Sequence, residues 1–345
     1  MNDLLKRKTI VAKFGGAILK EPESIKKMSK IIQDEYKDSN LIIVVSAFDK
    51  TTNTIEELLE ISRKNVPFEE NFEAETKLHK IANYHFDIIS KLIKKEWCLD
   101  IASERVEEIL EALMYELSHT KKDYNYVYDQ TVSLGEELSS TIIHHFLLNC
   151  EIKNEFLDAR SVIFTDNNYR QANVDIEKSK ITSRDVILKL LKQNQRIVTQ
   201  GFIGFTREIS DKNLFHTTTL GREGSDYSAA LFARIIDADR VDLWKNVDGI
   251  YTSDPNKRDQ KATLIDKIDF AQLENLALIL GKDENGKDNF KIVHPKTFGI
   301  LKGNEFNKPI PLYVRSYNNP DKGTMVCEPE EYKNQTIVEL QKSEN

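Results

Sequence analysis

Two runs near the start of the chain constrain its fold most. Residues 9–14 read as a short buried strand that ends at Gly15-Gly16. Residues 41–45 form a continuous aliphatic, mostly β-branched run, the look of a central parallel strand. Between them Ile25, Met28, Ile31 and Ile32 recur at helical spacing. Strand, glycine turn, helix and strand make one βαβ unit. The alternation resumes downstream, with helix expected over 138–148, strand over 155–157, helix over 186–191 and strand over 197–201. A helix to about 237, a strand over 241–244, a helix near 270–280 and a strand over 312–314 follow. Residues from about 54 to about 121 break the pattern. They carry no strand signal, are rich in Glu and Lys, and place Ile81, His85, Ile88, Ile89, Leu92, Val106, Ile109, Leu110 and Leu113 at helical spacing. They read as a helical subdomain inserted in an N-terminal lobe. The whole predicts an α/β class fold, a three-layer α/β/α sandwich around a mainly parallel sheet, in two lobes.

Composition limits the partners. The net charge of −7 over 345 residues is spread out, and the longest basic run is Lys6-Arg7-Lys8. This disfavours nucleic acid and anionic membrane. No apolar run reaches transmembrane length, and the N-terminus has no signal-peptide core. Cys98, Cys150 and Cys327 are far apart and show no metal spacing, so a reduced cytoplasmic setting is expected, with no protein metal site. The stretch 281–288, G-K-D-E-N-G-K-D, falls short of a P-loop and reads as a charged surface insertion.

The chemistry concentrates in residues 216–230, H-T-T-T-L-G-R-E-G-S-D-Y-S-A-A. Three hydroxyls lead into Gly221, and Arg222 and Gly224 follow. Ser225 reads as an N-cap for a helix whose buried face is Ala229, Ala230, Phe232 and Ala233. A glycine-flanked loop feeding a helix N-terminus offers backbone N–H groups and a positive dipole end to a phosphate or carboxylate. Arg222 adds a planar fork. A plain loop with a good cap would account for a lone glycine pair, but not for this density of hydroxyl, glycine, Arg and Asp.

The passage T-T-T-L-G-R-E-G-S-D-Y resembles the nucleotide-side loop of aspartate kinases, within the amino-acid kinase family. Further motifs follow in the family's order: K-F-G-G at 13–16, V-V-S-A at 44–47 with T-T-N at 51–53, S-L-G-E at 133–136, T-Q-G-F-I-G at 199–204, W-K-N-V-D-G-I-Y-T-S-D-P at 244–255, V-H-P-K-T at 293–297, and V-R-S-Y-N-N-P with G-T at 314–324. The resemblance implies an amino-acid kinase fold. Residues 1–195 would be the amino-acid-binding lobe, 196–327 the nucleotide-binding lobe, and 328–345 a short tail with no ACT-type effector domain. The implied activity is ATP-dependent phosphorylation of the side-chain carboxylate of L-aspartate to 4-phospho-L-aspartate, the first step toward lysine, threonine, methionine and diaminopimelate. Mg2+ would accompany ATP, held mainly by the phosphates. The partners expected are L-aspartate, ATP and a second copy in a homodimer.

Site roles also come from the resemblance. Lys13 would be the catalytic lysine and Asp226 its orienting partner. Alone, the first reads as a solvated lysine at a strand end and the second as a good first-turn acid. Glu136 would take the substrate ammonium and Arg222 its carboxylate, with Ser46, Thr52 and Ser225 adding hydroxyls. Gly15, Gly16 and Gly221 would let the backbone approach the phosphates. Lys245, Asp248, Tyr251, Asp254 and Lys291 would serve the nucleotide, although Tyr251 reads equally as core. Trp244 reads as core, His144-His145 as a helix-face pair, and His294 as fixing a turn. The chain departs from the family at Ala17-Ile18, Glu223, Asn246, Asn256 and Asn289-Phe290. Those departures keep two alternatives open, a sibling acidic-amino-acid kinase and a non-catalytic subunit that retains the fold.

Overall fold

A computed structural model describes residues 7–64, 71–119, 121–207, 215–221, 223–253, 262–280, 293, 295–305 and 307–328. The first βαβ unit is β1 (Thr9–Phe14), α1 (Pro22–Glu35) and β2 (Asn40–Val45). Five helices follow without a strand: α2 (Thr51–Ser62), α3 (Phe72–Leu92), α4 (Glu96–Ser118), α5 (Tyr124–Val132) and α6 (Leu134–Asn149). Then come β3 (Glu155–Leu157), α7 (Ile176–Asn194), β4 (Arg196–Gln200), β5 (Ile203–Arg207), β6 (Phe215–Thr219), α8 (Gly224–Ile236) and β7 (Arg240–Lys245). The described chain closes with β8 (Lys267–Ile268), α9 (Phe270–Leu280), α10 (Pro295–Leu301), β9 (Leu312–Ser316) and β10 (Gly323–Val326).

Eight strands form one sheet in the order β3-β4-β2-β1-β7-β9-β10-β8. It is parallel throughout except for the β9–β10 pair. β1 sits in the middle, with β2 against one edge (Thr9↔Asn40 to Phe14↔Val45) and β7 against the other (Ile10↔Arg240 to Phe14↔Trp244). Strand parity sorts the core into two layers. Ile10, Ala12, Phe14, Leu41, Ile43 and Val45 face a cluster built by α1 to α6. Val11, Ile42, Val44, Val241 and Leu243 face a cluster built by α7 to α10. Each fully buried side chain of this kind contributes about 1.5–3 kcal/mol. The parity also assigns Lys13 and Lys245 to the α8 face, in step with Val11 and Leu243.

The expected sandwich and its mainly parallel sheet are therefore present. Three local expectations need correction. The helical stretch begins at Thr51 rather than about 54, and past about 121 it continues through α5 to join the helix expected over 138–148. The threonines before Gly221 are not loop but strand β6, paired antiparallel with β5 in a separate two-stranded sheet (Ile203↔Thr219 to Arg207↔Phe215). Ser225 is not the N-cap of α8. The helix starts at Gly224, and Glu223 occupies the N-cap position in a left-handed conformation (φ 54°) with no side-chain capping hydrogen bond, which places Ser225 inside the first turn. Close packing explains the early start. A Cβ on Gly201 would lie 2.6 Å from Ser225 Cβ, so the β4–β5 turn presses directly on the beginning of α8. The segment 281–288, His294, Asn256 and Asn289-Phe290 lie outside the described residues, as does the tail beyond 328.

Candidate active site

The chain runs from β1 to β2 on one side of the sheet centre and later returns to β7 on the other. In open α/β sheets such a switch point opens a crevice beyond the carboxyl ends of the strands. Here it is a cavity of about 1030 Å³. Lys13, near the end of β1, and Lys245, the last residue of β7, both reach it. Both converge on one carboxylate of α8: Lys13 Nζ lies 2.6 Å from Asp226 Oδ1, and Lys245 Nζ donates to Oδ2 at 2.5 Å. Burial opposes the charge on Asp226, but the two ammonium groups outweigh it and hold the carboxyl down at about 2. Burial also works against the charge on Lys245, and Asp226, with Glu223 beside it, outweighs that effect and raises the ammonium above its ordinary range. Within the trio of Lys13, Asp226 and Lys245, two cations meet one anion.

Glu136 lines the same cavity from the first turn of α6. It is 3% exposed, and its Oε2 accepts from the backbone N–H of Ala47 at 2.8 Å. Burial pushes its carboxyl up to about 8, against the smaller opposing pulls of Lys13 and the Ala47 N–H. Gly16 fixes the loop between β1 and α1, because a Cβ there would lie 2.1 Å from Ala47 O. That close approach brings the loop after β1 onto the loop that holds Glu136.

Ten of the residues given a site role line this cavity: Lys13, Gly15, Gly16, Ser46, Thr52, Glu136, Gly221, Ser225, Asp226 and Lys245; so do Ala17, Ile18, Glu223 and Asn246, at which the chain departs from the family. Lys245, expected to serve the nucleotide, reaches the cavity paired with Asp226. Asp248 and Tyr251 are not brought to the cavity. Asp248 is tied to Ser316 Oγ at 2.8 Å and Lys322 Nζ at 2.9 Å, and Tyr251 bridges to Leu264. Arg222, Asp254 and Lys291 lie outside the described residues. Trp244 is fully buried and stacks on Phe14, with ring centres 5.9 Å apart, as core. His144 and His145 pair edge to face on α6, and His144 Nδ1 shares a 2.7 Å hydrogen bond with Asn154.

The sequence did not point to Asp129 or Arg170. Asp129, buried in α5, accepts from Arg170 N with both oxygens at 3.0 Å, from Thr219 N at 2.8 Å and from Thr219 Oγ1 at 2.6 Å. Burial pushes its carboxyl up to about 6, opposed by those donors. Arg170 lines the cavity with its backbone at φ 69°, a region costly for a residue with a side chain. Asp129 holds that turn in place. No local pattern marks such a pair, which spans 41 residues to Arg170 and 90 to Thr219.

Among the described residues no group of three or more His, Cys, Asp and Glu is placed to hold a metal ion. No described helix is long and apolar enough to cross a membrane.

Residues 8–316 match the model of the amino acid kinase family. The lysine-sensitive aspartokinase 3 of Escherichia coli (strain K12) is 30% identical over 321 residues, covering 92% of this chain and 64% of that protein. An aspartokinase of Chlamydia pneumoniae is 31% identical over 316 residues, covering 91% of this chain and 61% of that protein. The crystal structure of E. coli aspartokinase III in complex with aspartate and ADP superposes with a TM-score of 0.77 at 30% identity, covering 93% of this chain and 65% of that one. The chain thus spans a little under two thirds of the length of these relatives. With the family match over most of its length, the switch-point cavity and the paired lysines on Asp226, the chain belongs to the amino acid kinase family.

Proposed function

We propose that the chain transfers the γ-phosphoryl group of ATP to the side-chain carboxylate of L-aspartate, giving 4-phospho-L-aspartate and ADP at the start of amino-acid biosynthesis. The observation that carries this reading is one cavity with two unlike ends: a net cation at Lys13, Asp226 and Lys245, and a buried acid at Glu136. Phosphoryl transfer needs positioning and charge stabilisation more than covalent chemistry. A carboxylate oxygen of aspartate attacks the γ-phosphorus as the bond to the ADP oxygen breaks. Lys13 and Lys245 balance the charge that spreads over the phosphoryl oxygens. The backbone N–H groups at the start of α8 add to the same field. Glu136 ionises against the substrate ammonium, and Ser46, Thr52 and Ser225 supply hydroxyls.

Both oxygens of Asp226 are engaged by ammonium groups, so that carboxylate does not fit a metal. Mg2+ would arrive on the phosphates of ATP and neutralise part of their charge. The similarity to aspartokinases favours aspartate over other acidic amino acids. The test is purified protein with ATP, Mg2+ and a panel of amino acids, trapping acyl phosphate with hydroxylamine. Hydroxamate from aspartate above all others is expected. Preference for another acidic amino acid would move the reading to a sibling kinase, and no hydroxamate from any would leave a non-catalytic fold relative.

A further inference from the structure

The cations among the described residues that line the cavity are Lys13, Lys245 and Arg170. Lys13 and Lys245 are committed to Asp226. Arg170 is held quite differently. Its guanidinium lies 4.2 Å above the ring of Tyr128 and 5.4 Å from that of Tyr124. Its ion pair with Glu56 Oε1 is 3.4 Å long, and both side chains are 39% exposed. Good Arg–carboxylate contacts are shorter, about 2.7–2.9 Å. The pair with Glu56 is therefore loose, and a better-placed carboxylate would replace it.

The side chain also points to a definite end of the cavity. It reaches the wall made by α2 and α5, not the floor at Lys13. Glu56 is one helical turn beyond Thr52, and the Thr52 methyl lies 3.4 Å from where a Cβ on Gly135 would be. Gly135 precedes Glu136. Arg170 thus sits on the side where the substrate ammonium meets Glu136. A dicarboxylic amino acid must send its reacting carboxylate toward Lys13 and its ammonium toward Glu136. Its other carboxylate is left beside two wall acids, Glu56 and Glu136, and needs a cation there. An arginine fork held on an aromatic face is preorganised for that group. The backbone supports this, since Asp129 clamps Arg170 N in an otherwise disfavoured turn.

We propose that Arg170 is a substrate-binding residue that takes the non-reacting α-carboxylate of the amino acid, displacing Glu56. The resemblance gives the same group to Arg222. The proposal rests on the cavity being an acidic-amino-acid kinase site.

Arg170→Gly is the decisive variant, because glycine is at ease at positive φ and the fold should be as stable or more so. The expected result is a rise of about tenfold or more in KM for aspartate, the usual scale for losing a charge-assisted contact. The KM for ATP and kcat should stay within about threefold. Arg170→Lys should fall between the two, because it keeps the charge and loses the fork. An unchanged KM for aspartate in folded Arg170→Gly overturns the proposal. So does a rise confined to ATP, which would give Arg170 to the phosphates, or a loss of kcat at constant KM. Calorimetric binding of aspartate alone to wild type and variant separates this from the functional reading. If wild type binds aspartate tightly and Arg170→Gly about tenfold more weakly, Arg170 stands even where turnover fails.

Discussion

Asp226 and Glu136 occupy the same place in their helices. Each is the third residue, of α8 and of α6, and they are 1% and 3% exposed. Their helix starts differ, since α6 follows α5 directly through Ser133 whereas α8 follows a turn at Glu223. Asp226 is held at about 2 and Glu136 is pushed up to about 8. The difference lies in the neighbours. Asp226 has two ammonium groups within 2.6 Å, whereas Glu136 has one backbone N–H and a more distant pull from Lys13. At one end of the cavity the buried carboxylate has its cations before anything binds. The other lacks a cation, and a substrate ammonium is the group that would supply it.

The sharpest way to break this comparison is to unbalance the complete end. Lys13→Ala leaves Asp226 with Lys245 alone and cancels the net positive charge of that trio. Turnover should fall by about two to three orders of magnitude, the scale of losing a preorganised transition-state contact. The KM for aspartate should move only a few-fold, because Lys13 acts mainly in the transition state. Steady-state kinetics with both substrates varied decides this, and turnover within a few-fold of wild type removes Lys13 from the mechanism.

The incomplete end should answer in binding rather than in rate. Glu136→Gln keeps the hydrogen bond from Ala47 but cannot ionise, so the KM for aspartate should rise roughly tenfold to a hundredfold. Near pH 6.5 Glu136 is protonated in the free protein and must lose that proton to pair with an ammonium. Binding of aspartate should therefore release about one proton, and affinity should climb as pH rises toward 8. Calorimetry in two buffers of unlike ionisation enthalpy measures the release. Its absence in wild type, or its survival in Glu136→Gln, would show that another group carries the proton.

Much of this site follows from sequence periodicity, and part of it does not. The runs at 9–14 and 41–45 place β1 and β2 at once, and alternation along them determines that Lys13 meets α8. The position of Lys245 is readable only once β7 is known to lie beside β1, because sheet order is not a local property. The hairpin β5–β6 escapes notice because its strands are joined by seven residues (208–214) rather than by a tight turn signal. Asp129 reads as one more acid on a helix until Thr219 arrives from 90 positions away. Arg170 is hidden for a similar reason, since a positive φ at a non-glycine residue is imposed by tertiary contacts.

The two carboxylates also predict opposite pH dependences of stability. Asp226 has a depressed folded value, so its contribution is present above the ordinary 3.8 and is lost as pH falls through about 2. Glu136 has a raised folded value, so its contribution is present below the ordinary 4.5 and is lost as pH rises through about 8. Glu136→Gln shares every other titrating group with wild type, so the difference between the two isolates Glu136. In denaturant the two should match near pH 5, and wild type should fall below the variant by an amount on the order of a few kcal/mol as pH rises to 8.5. A variant that declines as steeply as wild type would mean that Glu136 ionises freely in the folded protein.

The smallest effect tests how the complete end is built. If Ser225 capped α8, removing its hydroxyl would cost about 0.5–2 kcal/mol. Glu223 occupies the N-cap position, and Ser225 lies in the first turn with its Cβ packed against the backbone of Gly201. Ser225→Ala keeps that Cβ and removes only the hydroxyl of a residue that lines the cavity. Stability should therefore change by less than about 0.5 kcal/mol, the range of substitutions that break no named contact. The KM for aspartate should rise about two- to tenfold, the scale of one neutral hydrogen bond. A stability loss with unchanged kinetics would return Ser225 to a capping role. It would also show that the start of α8, and with it the placement of Asp226 between its two lysines, depends on that hydroxyl.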